Sequence, residues 1–295
     1  MASPSDILNN LELITEDGVA HPIWGMRIFR HINGVGMATV RRITQKTPLQ
    51  HGVLDKGFRL EPRRMTMSFV LNDQGGQQQT AVDAQREYLT YLFSPTNSPL
   101  KLRATRRDGT IRQIDCYTDG QIDYPREIDA GASQQAVVPL LAPDPTLYDP
   151  TQQTTASASL AGGSGGADIL LAGYTADDWP LIDVTGPITD LTIGHFCSSS
   201  VESITLIGTI PGGETWRFDL RPGYKTLQRT SDSANRMSFV NTTTIQSFST
   251  MRILSTKAAR THDAAATANL FQFTGTGTTG ATAANVIWFK RFLSL

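Results

Sequence analysis

Some short patterns in this sequence have the form of chemical sites. Gly162-Gly163-Ser164-Gly165-Gly166 satisfies G-x-S-x-G, the turn that exposes a nucleophilic serine. That chemistry needs a buried strand before the serine and a helix after it, to strain the turn. Here a polar tract of small residues precedes Ser164 and no helical period follows it, so Ser164 is not expected to be a nucleophile. Gly275-Thr276-Gly277-Thr278-Thr279-Gly280 matches G-x-G-x-x-G, which grips a dinucleotide only at the mouth of a βαβ unit. The residues beyond Gly280 read as a strand, so a hairpin loop is expected there. Asn241-Thr242-Thr243 is a glycosylation sequon. It carries no weight, because the opening M-A-S-P-S-D-I-L-N-N has neither the basic nor the apolar stretch of a secretory signal.

Metal, acid–base and aromatic chemistry are no better served. The histidines (His21, His31, His51, His195, His262) are scattered, and His195-Phe196-Cys197 supplies one His-x-Cys, short of a tetrahedral metal site. No metal, cofactor or catalytic residue is expected. Asp177, Asp178, Asp183, Glu202, Glu214 and Asp219 supply carboxylates to the second half. A glycosidase needs two of them flanking a cleft, and spacing along the chain does not pair them. Trp179, Trp216 and Trp288 could stack on a sugar, with Trp179 and Trp216 the candidate glycan contacts; large aromatics at alternating strand positions also serve a core. Arg103, Arg106, Arg107 and Arg112 make one hairpin basic, which suits either a solvated tip or a contact with an acidic neighbouring subunit.

The elements that would hold these residues are mostly strands. In the first half, short apolar pieces at Leu11–Ile14 and Ile28–Ile32 lead to Arg41–Gly52, read as a strand ending in a turn. Met65, Met67, Phe69 and Leu71 alternate with polar neighbours, and Asn72–Gln79 is a polar loop. Ala81–Phe93 carries Val82, Tyr88, Leu89, Leu92 and Phe93 at helical spacing, closed by Ser94-Pro95. Leu100–Thr105 and Ile111–Tyr117 form a hairpin around Asp108-Gly109, and Val137–Leu141 is the next strand. The second half predicts strands at Leu181–Val184, Leu191–Ile193, Val201–Ile207, Thr215–Leu220, Met237–Val240, Met251–Leu254, Leu270–Phe273 and Asn285–Leu293, a spacing suited to a sandwich or jelly roll.

A chain of 295 residues holds two cores. Between them A-P-D-P-T-L-Y-D-P runs into Q-Q-T-T-A-S-A-S-L-A-G-G-S-G-G, which reads as a tether with too little apolar surface to fold. The expected division is 1–150, a linker at 151–166, and 167–295. A formal net charge of −1 provides no polybasic field for nucleic acid or anionic membrane. The sequence has no long apolar run, so no membrane insertion is expected. Cys116 and Cys197 fall in different halves and fit synthesis and assembly in a reducing cytoplasm.

The order of these pieces resembles the distal tail proteins of long, non-contractile-tailed bacteriophages. The cues in the first half are L-Q-H-G (Leu49–Gly52), the strand Met65–Leu71, the helix Ala81–Phe93, the Asp108-Gly109 hairpin and, most specific, Ala142–Pro150. In the second half they are Trp179–Gly186, Ser203–Leu220 with its Gly212-Gly213-Glu214 turn, and Ile287–Phe292. Lys257–Ala284, rich in Ala and Thr, departs from the pattern and reads as a loop.

The resemblance implies an all-β chain with one amphipathic helix: a tube-type β-sandwich or split-barrel ring domain, then a galectin-like jelly roll. It implies a homo-hexameric ring at the tail tip of a virion, assembled in the host cytoplasm, between the tail-tube protein and the baseplate hub. Its channel would pass DNA and the tape-measure protein without binding DNA specifically. The alternative is a receptor-recognition protein whose second domain binds host surface glycan.

Overall fold

The computed structural model describes residues 8–23, 28–45, 54–72, 78–125, 133–155, 157–170, 175–197, 200–254 and 268–295. Leu49–Gly52, His51, His262 and part of Lys257–Ala284 lie outside them. The chain divides into two compact units. Unit 1 comprises Met1–Pro150 together with Phe292–Leu295, and unit 2 comprises Thr151–Arg291.

Unit 1 contains β1 (Leu8–Ile14), β2 (Ala20–Pro22), β3 (Phe29–Asn33), β4 (Val40–Gln45), β5 (Leu54–Leu60), β6 (Arg63–Asn72), α1 (Gln78–Leu92), β7 (Leu100–Arg106), β8 (Ile111–Thr118), β9 (Ser133–Ala142) and β10 (Leu147–Tyr148). Its main sheet runs β2-β1-β7-β8-β9-β6-β3, with neighbours antiparallel. The expected alternation sets the inward face: Met65, Met67, Phe69 and Leu71 are buried, and the first three sit opposite Leu140, Val138 and Ala136 of β9. A sheet with one apolar face needs a cover. The helix supplies it by burying Leu89 and Leu92 with Phe93 against this core. The helix starts at Gln78, so the end of the expected Asn72–Gln79 loop is helical. The β7–β8 hairpin turns where Asp108 accepts from the Thr110 amide and hydroxyl, at 2.9 and 2.6 Å, beside Gly109 at φ +80°.

Unit 2 contains β11 (Gln153–Thr154), β12 (Ala158–Ser159), β13 (Ser164–Leu170), β14 (Leu181–Thr185), β15 (Ile188–Cys197), β16 (Ser200–Thr205), β17 (Thr209–Ile210), β18 (Thr215–Asp219), β19 (Thr226–Arg229), β20 (Ala268–Thr276), β21 (Ala283–Trp288) and the residue pair β22 (Arg291–Phe292), where the chain passes back to unit 1. One sheet runs β11-β21-β14-β18-β19 and the other β13-β20-β15-β16. Ile182, Val184, Trp216, Phe218 and Val286 of the first share a core with Ile169, Ile193, Phe271 and Phe273 of the second, which makes unit 2 a β-sandwich.

The structure corrects four expectations in this half. The tract 151–166 is not a free tether: β11 and β12 pair with β21, and β13 pairs with β20 from Ser164 onward. Its glycines serve a close crossing, because a Cβ on Gly165 would lie 2.6 Å from the Ser159 carbonyl oxygen. Lys257–Ala284 is not all loop: the strand expected at Leu270–Phe273 is present and longer, as β20 between β13 and β15. Met237–Phe239 is a 3₁₀ turn and not a strand, started by Asn235 accepting from the Met237 amide at 2.8 Å. Met251–Leu254 contributes a single bridge, from Ile253 to Asp178, while burying Met251 and Ile253.

Candidate functional site

The patterns that looked chemical have structural partners. Ser164 opens β13, with its register partner Thr274 in β20, and not a strand-to-helix elbow. Gly275–Gly280 lies across the end of β20 and the turn into β21, with Gly277 at φ +67°. Asn241 accepts from the Thr243 amide and hydroxyl at 3.0 and 2.9 Å, so N-T-T forms a local turn. His195 is buried, stacks on Phe271 at 4.6 Å and meets the Asn269 side-chain oxygen at 3.0 Å. Among the described residues no cluster of three or more His, Cys, Asp or Glu could hold a metal. Burial pushes the Cys116 thiol up to about 12, which keeps it protonated and unreactive.

Five of the six candidate carboxylates of unit 2 are paired with arginine, and the sixth, Glu202, lies 4.0 Å from His195 Nδ1. Asp183 takes two 2.7 Å bonds from Arg217, Asp219 is gripped by Arg221 at 2.6 Å, and Asp177 by Arg252 at 3.0 Å. Asp178 is buried with Arg291, accepting from its Nε at 2.5 Å and from the Phe289 amide at 2.8 Å. Glu214 accepts from Trp216 Nε1 at 2.9 Å and from Arg229 at 2.9 Å, and these bonds hold its carboxyl below the usual range.

The two tryptophans offered as glycan contacts fall differently from that expectation. Trp216 is only 2 % exposed, with its ring edge on Phe239 at 5.1 Å. It faces the core because it alternates in step with Phe218, and a sugar cannot stack on it. Trp179 is partly buried and packs against the same core.

The four arginines of the β7–β8 hairpin do not act alike. Arg103 donates to Gln113 at 3.2 Å and lies 3.9 Å from Glu12. Arg106 approaches Asp108 at 3.6 Å, while Arg107 is exposed at the turn. Arg112 lies within unit 1, its guanidinium 4.2 Å from the Phe292 ring centroid and donating to the Ser294 carbonyl. Burial and the neighbouring Arg106 charge both lower its proton affinity. The Nε atoms of Arg106 and Arg112 are buried without a hydrogen-bond partner.

The main surface feature missing from the sequence reading is β4–β5. These strands pair only with each other among the described strands. Phe58 is 58 % exposed and Ile43 39 %, and Met37, just before the hairpin, is 63 % exposed. Arg42 spans the pair, bonding Asp55 at 3.0 Å and lying 5.9 Å from the Phe58 ring centroid. The return strand had a partial signal, with Leu54, Phe58 and Leu60 at alternate positions and Lys56 breaking their run. Gly57 at φ +116° interrupts it, where the register shifts between Arg42 and Thr44. A second surface feature is an open depression of about 580 Å³ along α1, where Tyr91, Thr90 and Arg86 face Tyr124.

No protein-family model and no curated protein matches the sequence. Solved structures do match in fold. The crystal structure of the Dit protein of phage SPP1, described as a paradigm of the hub adsorption apparatus in phages infecting Gram-positive hosts, superposes with a TM-score of 0.63 at 12 % identity. That match covers 96 % of this chain and 99 % of that one. A chain of the phage P2 baseplate in its activated, calcium-bound conformation matches over 97 % of this chain and 99 % of its own, at 7 % identity and a TM-score of 0.48. A chain of a gene transfer agent tail matches 47 % of this chain, at 12 % identity and a TM-score of 0.28. Over both of its units, the chain has the all-β fold of a phage Dit protein.

Proposed function

We propose that this chain is a distal tail protein: a non-enzymatic structural component of a phage tail tip, forming a homo-hexameric ring between the tail-tube protein and the baseplate hub. The observation that carries the reading is the end-to-end fold likeness to the SPP1 Dit protein, which includes both units and leaves almost no part of either chain unmatched. In this reading unit 1 forms the ring around a channel for DNA and the tape-measure protein, and unit 2 is the peripheral, galectin-like module.

The β4–β5 hairpin supports a ring. Two strands alone are marginal in water, and open strand edges beside exposed Phe58 and Ile43 favour a partner. Closed rings use heterologous contacts, in which a projecting element of one copy meets a different surface of the next. Arg106 and Arg107 add positive charge for such a contact. A formal net charge of −1 suits a channel that DNA must traverse without sticking. The glycan-binding alternative loses Trp216 to the core and is not advanced.

Light scattering and negative-stain imaging of the purified chain test the proposal. Six-fold rings are expected at micromolar concentration. Phe58→Asp should leave monomers. At a dilution where the wild type is monomeric as well, the thermal midpoint of unit 1 should agree within about 2 °C, because an exposed substitution costs roughly 0.5 kcal/mol or less. A wild-type chain that stays monomeric at high concentration would count against the ring.

A further inference from the structure

Unit 1 is not continuous in sequence: it runs to Pro150, gives way to unit 2, and resumes at Phe292. Each of the four returning residues is held. The Phe292 ring packs on the unit 1 core beneath Arg112. The Leu293 carbonyl accepts from Arg63 at 2.9 Å, and the Ser294 carbonyl accepts from Arg112. The Leu295 amide donates to the Val35 carbonyl at 3.3 Å, and its side chain reaches the same core.

Arg63 makes this more than a loose end. It is 2 % exposed, and its guanidinium donates to carbonyls from separate parts of unit 1: Gly34 at 3.1 Å, Gly36, and Pro145 at 2.9 and 2.7 Å, in addition to Leu293. A planar fork with fixed donor directions can satisfy that many carbonyls only if every segment is in position together. Removing one of them leaves a buried donor unmet, and the others loosen with it.

We infer that Phe292–Leu295 is a clasp: these residues dock on unit 1 through Arg63 and Arg112 and complete its fold, so that unit 1 becomes fully ordered only after unit 2 has been synthesised. The device delays a finished unit 1 until the intervening 141 residues, Thr151–Arg291, have been made. It goes beyond the ring reading and does not depend on it.

Hydrogen exchange read by mass spectrometry, on dilute monomeric protein, tests the clasp. A chain stopping at Arg291 is compared with the full chain and with the single variants Arg112→Gln and Phe292→Ala. Exchange should be at least tenfold faster across 33–38, 63–67 and 143–148 in the shortened chain and severalfold faster in the point variants. Across β14 and β18 it should be unchanged. Equal protection of unit 1 in all four proteins overturns the inference, as does equal loss in both units. If the shortened chain does not accumulate, the two point variants alone decide by the same criterion. Ring counting on the same proteins at micromolar concentration is a separate measurement, so a failed ring and a failed clasp are told apart.

Discussion

In unit 2 arginine meets carboxylate: Arg217 with Asp183, Arg221 with Asp219, Arg229 with Glu214, Arg252 with Asp177 and Arg291 with Asp178. In unit 1 the arginines that matter most meet backbone and aromatic ring. Arg63 spreads over carbonyls and Arg112 lies against Phe292 and Ser294. The carboxylate pairs of Arg41, Arg103 and Arg106 are stretched to 3.6–3.9 Å. The closer pairs, Arg42 with Asp55 at 3.0 Å and Arg86 with Asp83 at 3.1 Å, lie nearer the solvent than Arg63. Paired charges make a unit complete in itself. Arginines aimed at carbonyls make the unit depend on where distant chain segments lie. The difference separates a self-contained sandwich from a unit whose closure is conditional.

The strongest way to break that contrast is to remove a buried charge from the self-contained unit. Asp178→Asn keeps the shape but leaves Arg291 without its carboxylate. Breaking a buried pair costs about 3–5 kcal/mol, so the unit 2 transition in urea should fall by that much while unit 1 holds. A loss under about 1 kcal/mol would mean that the pair does not organise unit 2. Next comes Arg63→Met, expected to lower the unit 1 transition by roughly 2–3 kcal/mol as its carbonyls lose their donor. A shift confined to unit 2 would reverse the assignment.

The smallest effect concerns His195, a buried group inside the ion-paired unit. Burial lowers its proton affinity below the ordinary value of 6.5. The Asn269 bond and Glu202 oppose that shift, while Arg252 adds to it. The unfolded chain then binds a proton more readily than the folded one, so unit 2 loses stability as pH falls through about 6.5 and stops losing it below the folded value. Thermal melts between pH 7.5 and 5 should show this slope in the unit 2 transition, flattened by His195→Gln. An unchanged slope in the variant would assign the pH dependence elsewhere.

Much of the fold was legible where a local period met a local signal. The helix, β6, the Asp108-Gly109 hairpin and β18 all follow from apolar spacing and turn residues. The failures share a physical cause. Gly165 looked like part of a tether because composition registers missing side chains, and not the neighbouring backbone that requires them missing. Strand β20 was read only over Leu270–Phe273, because Thr274-Gly275-Thr276, which extend it, carry no apolar period. Alternation placed Trp216 with Phe218 correctly, yet could not say that this face points inward. The ties of Arg112 to Ser294 and Arg63 to Leu293 span 182 and 230 residues, and no local pattern encodes them.

The return of the chain at Phe292 bears on how the protein can be taken apart or recombined. A fragment cut as 167–295 would carry away four residues that belong to unit 1 and leave behind β11 and β12, which belong to unit 2. Unit 2 is a cassette with two seams, at Pro150–Thr151 and Arg291–Phe292. An exchange of unit 2 between related chains preserves both partners only when it is cut at both seams.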